Sequence, residues 1–151
     1  MRAVIQRVNR ASVKINKKEI SSISEGILVF LGVEKEDSKS DADYILDKII
    51  NLRIFEDDQS KMNLSLLDVS GEMMVVSQFT LLGDCTKGRR PSFFRAEDPV
   101  PANELYEYFI EKGAAKVRNL ACGKFQEMMQ IELINNGPVT ILLNSRPIGK
   151  E

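Results

Sequence analysis

The opening stretch MRAVIQRVNRASVKINKKEISSISEGILVFLGV, residues 1–33, decides the fold. Arg2–Val8 mixes apolar and polar residues and reads as a first strand. Ala11–Asn16 then alternates strictly, with Ala11, Val13 and Ile15 on one face and Ser12, Lys14 and Asn16 on the other. Gly26–Val33 is continuously apolar, the pattern of a strand buried on both faces. No helical period intervenes among these segments, which argues against a doubly wound parallel fold.

Working outward, the polar run EKEDSKSD at 34–41 leads into a helix. Ser40 and Asp43 have capping-box spacing, and Ile45, Ile49 and Leu52 fall on one helical face. Glu56–Lys61 is a polar connection. Met73–Phe79 reads as a second core strand, apolar until Ser77-Gln78. Gly83–Pro99 is loop-like, rich in Gly, Pro and basic residues. Pro101 suits the first turn of a helix reaching about Val117, with Leu105, Tyr108, Phe109 and Lys112 as its stripe and Gly113 as a weak point. Glu127–Ile134 and Val139–Asn144 read as two strands around Asn135-Asn136-Gly137-Pro138. With no repeat and no linker, residues 1–151 form one domain. The expected class is α/β: a mainly antiparallel, barrel-like sheet with two main helices.

The composition narrows the chemistry. The chain has 151 residues, 43% hydrophobic and 28% charged, ordinary for a soluble globular domain. Its longest apolar run, about Ile27–Val33, is too short to span a bilayer, and MRAVIQRV lacks the layout of a secretory signal. Cys85 and Cys122 form neither a disulfide framework nor a metal spacing, so a reducing cytosol is the simplest compartment. The chain contains no histidine. That absence removes the usual general base, the usual zinc ligand and every Ser-His or Cys-His triad. A hydrolase of this sequence must activate water with a carboxylate, a lysine, the backbone or the substrate itself, and neither metal nor cofactor is expected. The net charge of −1 gives no global field for nucleic acid. Any such contact must be local, and the one candidate patch is Lys87, Arg89, Arg90 and Arg95, for which the plainer reading is a solvated basic loop.

Two segments carry hydrogen-bonding groups at strand ends. In Ser77-Gln78-Phe79-Thr80-Leu81 an apolar strand abruptly presents polar side chains, where amides freed from the ladder can face a ligand. The plainer reading is the start of a turn. In Asn135-Asn136-Gly137-Pro138-Val139-Thr140 the Asn-Gly pair signals a hairpin turn. Pro138 complicates it, because proline donates no amide yet stands at a strand start; the general preference of X-Pro bonds is trans.

SQFTL at 77–81 and NNGPVT at 135–140, together with MRAVIQRV at 1–8 and KGRRPSF at 87–93, resemble the D-aminoacyl-tRNA deacylase family over essentially the whole chain. The resemblance implies a homodimer with its active sites at the subunit interface. Ser77, Gln78, Phe79 and Thr80 would build the catalytic pocket. A cis Gly137-Pro138 element, with Val139 and Thr140, would enter the partner's pocket and present a carbonyl wall. A D-amino acid turns its side chain away from that wall, an L-amino acid runs into it, and glycine passes. The site would grip the α-amino group and the terminal ribose, leaving the side chain largely outside. Water attack would be assisted by the RNA 2′-hydroxyl, with an oxyanion hole near Phe79 and Thr80. A competing route makes Thr80 a nucleophile, which requires an adjacent base; Asp84 and Lys87 are the nearby candidates. Lys87, Arg89 and Arg90 would meet phosphates of the tRNA acceptor end. No membrane or DNA partner is expected. The rival readings are a sister deacylase that clears a mischarged L-amino acid and a non-enzymatic nucleic-acid-binding module.

Overall fold

The computed structural model describes residues 1–146, so residues 147–151 of the expected domain lie outside the described residues. The two strands expected within 2–16 are one long strand, β1 (Arg2–Ile15), which bends between two partners. Its first half pairs antiparallel with β3 (Gly26–Gly32), from Arg2 opposite Gly32 to Val8 opposite Gly26. Its second half pairs antiparallel with β2 (Lys18–Ile23), through a tight turn whose Asn16 and Lys17 have φ of 50° and 65°. Positive φ at both turn residues gives the connection the twist that a two-residue hairpin needs.

Beyond β3 the sheet changes character. β6 (Glu72–Ser77) runs parallel to β3, and β7 (Leu120–Cys122) runs parallel to β6. The reason lies in the helices: α1 (Lys39–Asn51) follows β3 and α2 (Pro99–Ala114) follows β6. A strand–helix–strand passage returns the chain in its original direction. The sheet is therefore mixed, antiparallel around β1 and parallel under the two helices. Ser21 Oγ donates to the Cys122 carbonyl at 2.9 Å, drawing β2 towards β7 into a nearly closed barrel. The short pair β4 (Phe55–Glu56) and β5 (Met62–Leu64) stands apart.

The apolar runs are continuous because β3 and β6 have a core on each side. Ile27, Val29, Leu31, Met73 and Val75 face the helices, with Ile45, Leu46 and Ile49 of α1 and Phe109 of α2. Leu28, Met74 and Val76 point the other way, into the barrel interior with Val8 and Val13. Burial of this kind contributes about 1.5–3 kcal/mol per large aliphatic side chain.

Three local expectations are corrected. The α1 cap is Ser38 with Asp41, not Ser40 with Asp43: the Ser38 amide donates to the Asp41 carboxylate at 2.9 Å. Both pairs share the spacing, but only the earlier one stands where the backbone leaves the extended region. α2 starts at Pro99 rather than Pro101, and its buried face is Ala102, Tyr106, Phe109 and Gly113. Gly113 is a point of close approach, since a Cβ there would lie 2.7 Å from Leu120 Cδ1 and 3.0 Å from Met73 Cε.

The largest correction concerns NNGPV. There is no hairpin: β8 (Gln130–Asn144) is a single strand antiparallel to β1. Its register skips from Asn135 opposite Val8 to Thr140 opposite Gln6. The residues between them bulge out of the ladder opposite Arg7 alone. Proline lacks an amide for the ladder, so the chain leaves the sheet where Pro138 falls and resumes afterwards.

Candidate active site

β6 leaves the sheet at Ser77. The Gln78 amide makes one more ladder bond, to the Leu31 carbonyl at 2.8 Å, and the chain then coils into a 3-10 turn over Phe79–Leu82. The first amides of any helical turn lack intrahelical acceptors, which leaves those of Phe79 and Thr80 available to a ligand. Gly32 lets the turn sit against β3, since a Cβ there would come 3.0 Å from the Gln78 carbonyl oxygen. The Arg2 guanidinium donates to the Leu81 carbonyl at 2.8 Å and pins the far side of the turn.

Ser77, Gln78, Phe79 and Thr80 together line a cleft of about 790 Å³. It opens at the C-terminal end of the parallel pair, the usual place for a ligand in parallel sheets. Its volume lies within the range of small-molecule sites. The opposite walls come from Ala96–Pro99 and Ala102 at the start of α2, and from Phe125–Met129 with Ile131 leading into β8. Sequence reasoning missed these walls. Their residues carry no motif, and only the topology brings the α2 N-terminus and the β7–β8 loop to the end of β6.

The Gln78 side-chain amide donates to Thr80 Oγ1, and among the described residues no other side chain bonds that hydroxyl. A nucleophilic threonine needs a base in contact. Asp84 makes no hydrogen bond to that hydroxyl; its carboxylate accepts the Thr86 amide at 2.9 Å, and that bond holds its pKa below the ordinary carboxylate value. Lys87 is exposed on the same loop.

The basic residues Lys87, Arg89 and Arg90 are all exposed, on a loop closed by Asp84 and Ser92, whose amides and carbonyls exchange bonds of 2.8 and 2.9 Å. The loop is tied to the cleft by an aromatic contact: Phe93 meets Phe79 edge-on with centroids 5.0 Å apart. Arg95 of the same patch is instead committed to Glu34, its Nε donating at 2.6 Å.

Gly137, Pro138, Val139 and Thr140 do not line this cleft. Asn136, Gly137 and Pro138 project into solvent, Thr140 is exposed, and Val139 turns into the core as the anchor of the bulge. The Gly137–Pro138 bond is cis, and Gly137 has φ of 126°. The bulge is braced from beneath by Arg7, a buried arginine that the sequence reading passed over as part of a strand. Its Nε donates to the Asn136 carbonyl at 3.0 Å and its Nη1 to the Ile54 carbonyl at 2.6 Å. From the side, Asn135 accepts the Val139 amide at 2.9 Å and donates to Thr140 Oγ1 at 3.0 Å. A presented main-chain segment, held by side chains behind it, is the arrangement expected of a recognition element.

Comparison with known proteins accords with this geometry. The profile of the family described as D-Tyr-tRNA(Tyr) deacylase matches residues 4–144. The D-aminoacyl-tRNA deacylase of Syntrophus aciditrophicus (strain SB) is 60% identical over 146 residues, covering 97% of this chain and 98% of that protein. Its namesake from Clostridioides difficile (strain 630) is 55% identical over 145 residues, covering 96% and 97% respectively. Among solved structures, the c-Myc DNA unwinding element binding protein superposes with a TM-score of 0.92 at 41% identity, covering 97% of this chain and 99% of that one. A probable eukaryotic D-amino acid tRNA deacylase, at 15% identity and a TM-score of 0.79, covering 95% of this chain and 98% of that one, shares the fold. With the profile spanning nearly the whole chain, and relatives this similar along nearly their full length, the chain belongs to the D-Tyr-tRNA(Tyr) deacylase family.

Proposed function

We propose that this chain hydrolyses the ester between a D-amino acid, or glycine, and the 3′ end of tRNA, acting as a cytosolic homodimer in chiral proofreading. The observation that carries the reading is a separation. Ser77–Thr80 line the cleft, whereas the braced Gly137–Pro138 segment of the same protomer lies outside it and faces solvent. A second subunit that brings its own Gly137–Pro138 segment across would complete the site. The carbonyls of that segment then form a wall without side chains, and rejection of L-amino acids follows from steric exclusion. Glycine has nothing to exclude and is hydrolysed.

The chemistry asks little of the side chains. An aminoacyl ester beside a free ribose hydroxyl is activated already, so the 2′-hydroxyl directs the attacking water. The protein contributes position and the amides of Phe79 and Thr80 for the developing oxyanion. Gln78 orients Thr80, and the lack of histidine costs the mechanism nothing. Lys87, Arg89 and Arg90 receive acceptor-end phosphates at the mouth.

The test is single-turnover deacylation of D-Tyr-tRNA, L-Tyr-tRNA and Gly-tRNA, with the oligomeric state measured in the same buffer. The expected result is rapid release of D-Tyr and Gly by a dimer, with L-Tyr-tRNA left intact. Equal hydrolysis of both tyrosyl enantiomers overturns the wall; no release of any amino acid overturns the enzyme.

A further inference from the structure

Tyr106 stands behind the cleft and lines none of it. It is buried on α2, one helical turn after Ala102, which does line the cleft. Its hydroxyl donates to the Val75 carbonyl at 3.0 Å, with the Gly123 carbonyl as a longer second acceptor at 3.5 Å. The Val75 carbonyl also accepts the Gly123 amide at 3.0 Å, where the chain passes from β7 into the loop that carries Phe125–Met129. The Tyr106 ring meets that of Phe125 with centroids 5.9 Å apart. Gly123 is the root of the loop: a Cβ there would lie 2.7 Å from Met129 Sδ, and the Lys124 amide donates to the same sulfur at 3.3 Å. One hydroxyl thus ties the end of β6, the start of α2 and the Phe125–Met129 wall together. Burial pushes this phenol well above its ordinary range, so it stays a donor. The facing wall is held by other bonds. The Gln78 amide donates to the Leu31 carbonyl and Arg2 to the Leu81 carbonyl, each at 2.8 Å, and the Gly83 amide closes the turn onto the Thr80 carbonyl at 3.1 Å. None of these runs through α2 or β7.

We propose that Tyr106 is a positioning residue: through Val75, Gly123 and Phe125 it fixes the Phe125–Met129 wall against the Phe79–Thr80 turn, and so sets how tightly the cleft holds its substrate without acting on the reacting carbonyl. The inference rests on the D-aminoacyl ester reading above. Loss of the hydroxyl loosens one wall and leaves the other in place. The amides of Phe79 and Thr80 keep their positions, so the chemical step is spared. Contacts on the opposite wall are made alike in the ground state and the transition state, and weakening them raises KM without lowering kcat. A tyrosine that served only the fold would give another pattern, a lower melting temperature with KM unchanged in the folded protein.

The experiment measures KM and kcat of the parent and of Tyr106→Phe with D-Tyr-tRNA, with thermal melting alongside. Phenylalanine keeps the ring against Phe125, and the Val75 carbonyl keeps the Gly123 amide, so the strand pairing survives. Loss of one neutral hydrogen bond from the wall should raise KM by about three- to tenfold and leave kcat within about twofold. Tyr108→Phe is the control. It removes a phenol of the same helix that donates to the Asp43 carboxylate at 3.0 Å, away from the cleft, and its KM should match the parent's. Gly123→Ala presses on Met129 without touching Tyr106 and should show the same split as Tyr106→Phe, which decides the matter if the latter does not fold. An unchanged KM in the folded Tyr106→Phe protein, or in Gly123→Ala where only that variant folds, overturns the inference. So does a fall in kcat at unchanged KM, or an equal rise in KM for Tyr108→Phe. Each of these leaves the deacylase reading intact, whereas no turnover of D-Tyr-tRNA by the parent overturns both.

Discussion

Replacing Arg7 with methionine separates the support of the Gly137–Pro138 segment from the segment itself. The Arg7 side chain is 8% exposed and spans two chain regions, donating to the Asn136 carbonyl at 3.0 Å and the Ile54 carbonyl at 2.6 Å. Its remaining contact, with Glu56 at 3.9 Å, involves a carboxylate that is 55% exposed, so the ion pair adds little. Methionine fills much of the same space but donates nothing. Each charge-assisted bond contributes about 1.5–3 kcal/mol, and partial rehydration of the exposed Asn136 carbonyl offsets the upper end, giving a loss of about 3 kcal/mol. For a domain of this size that loss lowers the melting temperature by about 6–12 °C. The second consequence is functional. With the brace gone, the Asn136–Pro138 bulge is held only by Asn135 and the Val139 anchor, and the wall proposed for it loosens. Paired deacylation of D-Tyr-tRNA and L-Tyr-tRNA by the folded variant should show D-turnover reduced by about tenfold or more. The D-to-L ratio should narrow as well. A variant that melts within 2 °C of the parent would refute the energetic reasoning. One that melts early yet keeps full stereoselectivity would show that the brace serves the fold and not the wall.

Gly26→Ala attacks the site from the sheet. A Cβ on Gly26 would lie 1.8 Å from the Glu72 carbonyl oxygen, so β3 and β6 must part where they begin to pair. A loss of at least about 3 kcal/mol in chemical denaturation is expected, because the clash is with backbone and no rotamer relieves it. Thr80→Val should retain D-aminoacyl-tRNA turnover within about tenfold of the parent if Thr80 only positions substrate; a loss of about 10⁴-fold or more in a folded protein would mark it as the nucleophile. Affinity for charged tRNA should fall with salt at a log–log slope of about −2, and alanine at Lys87, Arg89 and Arg90 should bring the slope close to zero. A parent slope already near zero would remove the basic loop from the interface.

Much of this protein was legible one segment at a time. Strict alternation at 11–16 and unbroken apolar runs at 26–33 and 73–76 located the strands, because side-chain period and burial are local properties of the chain. For the same reason the polar residues of SQFTL and the proline of NNGPVT marked two places where a strand leaves its ladder, whereas their assignment to a site came from the family resemblance and not from the local pattern. Pairing was not legible. The parallel arrangement of β3, β6 and β7 depends on how α1 and α2 carry the chain back across the sheet. The choice between a hairpin and a bulge at Asn135–Val139 depends on whether β1 continues past it, and β1 is 120 residues away in sequence. Arg7 looked like an ordinary strand residue until the register set it opposite the bulge. Glu97 and Asp98 lay unremarked in the loop-like stretch at 83–99 until the turn into α2 brought them to the end of β6. The sequence by itself determined which residues could form strands, helices and breaks in the ladder, since those choices rest on neighbours in the chain. Only the tertiary structure decided which segments share a cleft and which face away from it, because that rests on contacts between residues distant in sequence.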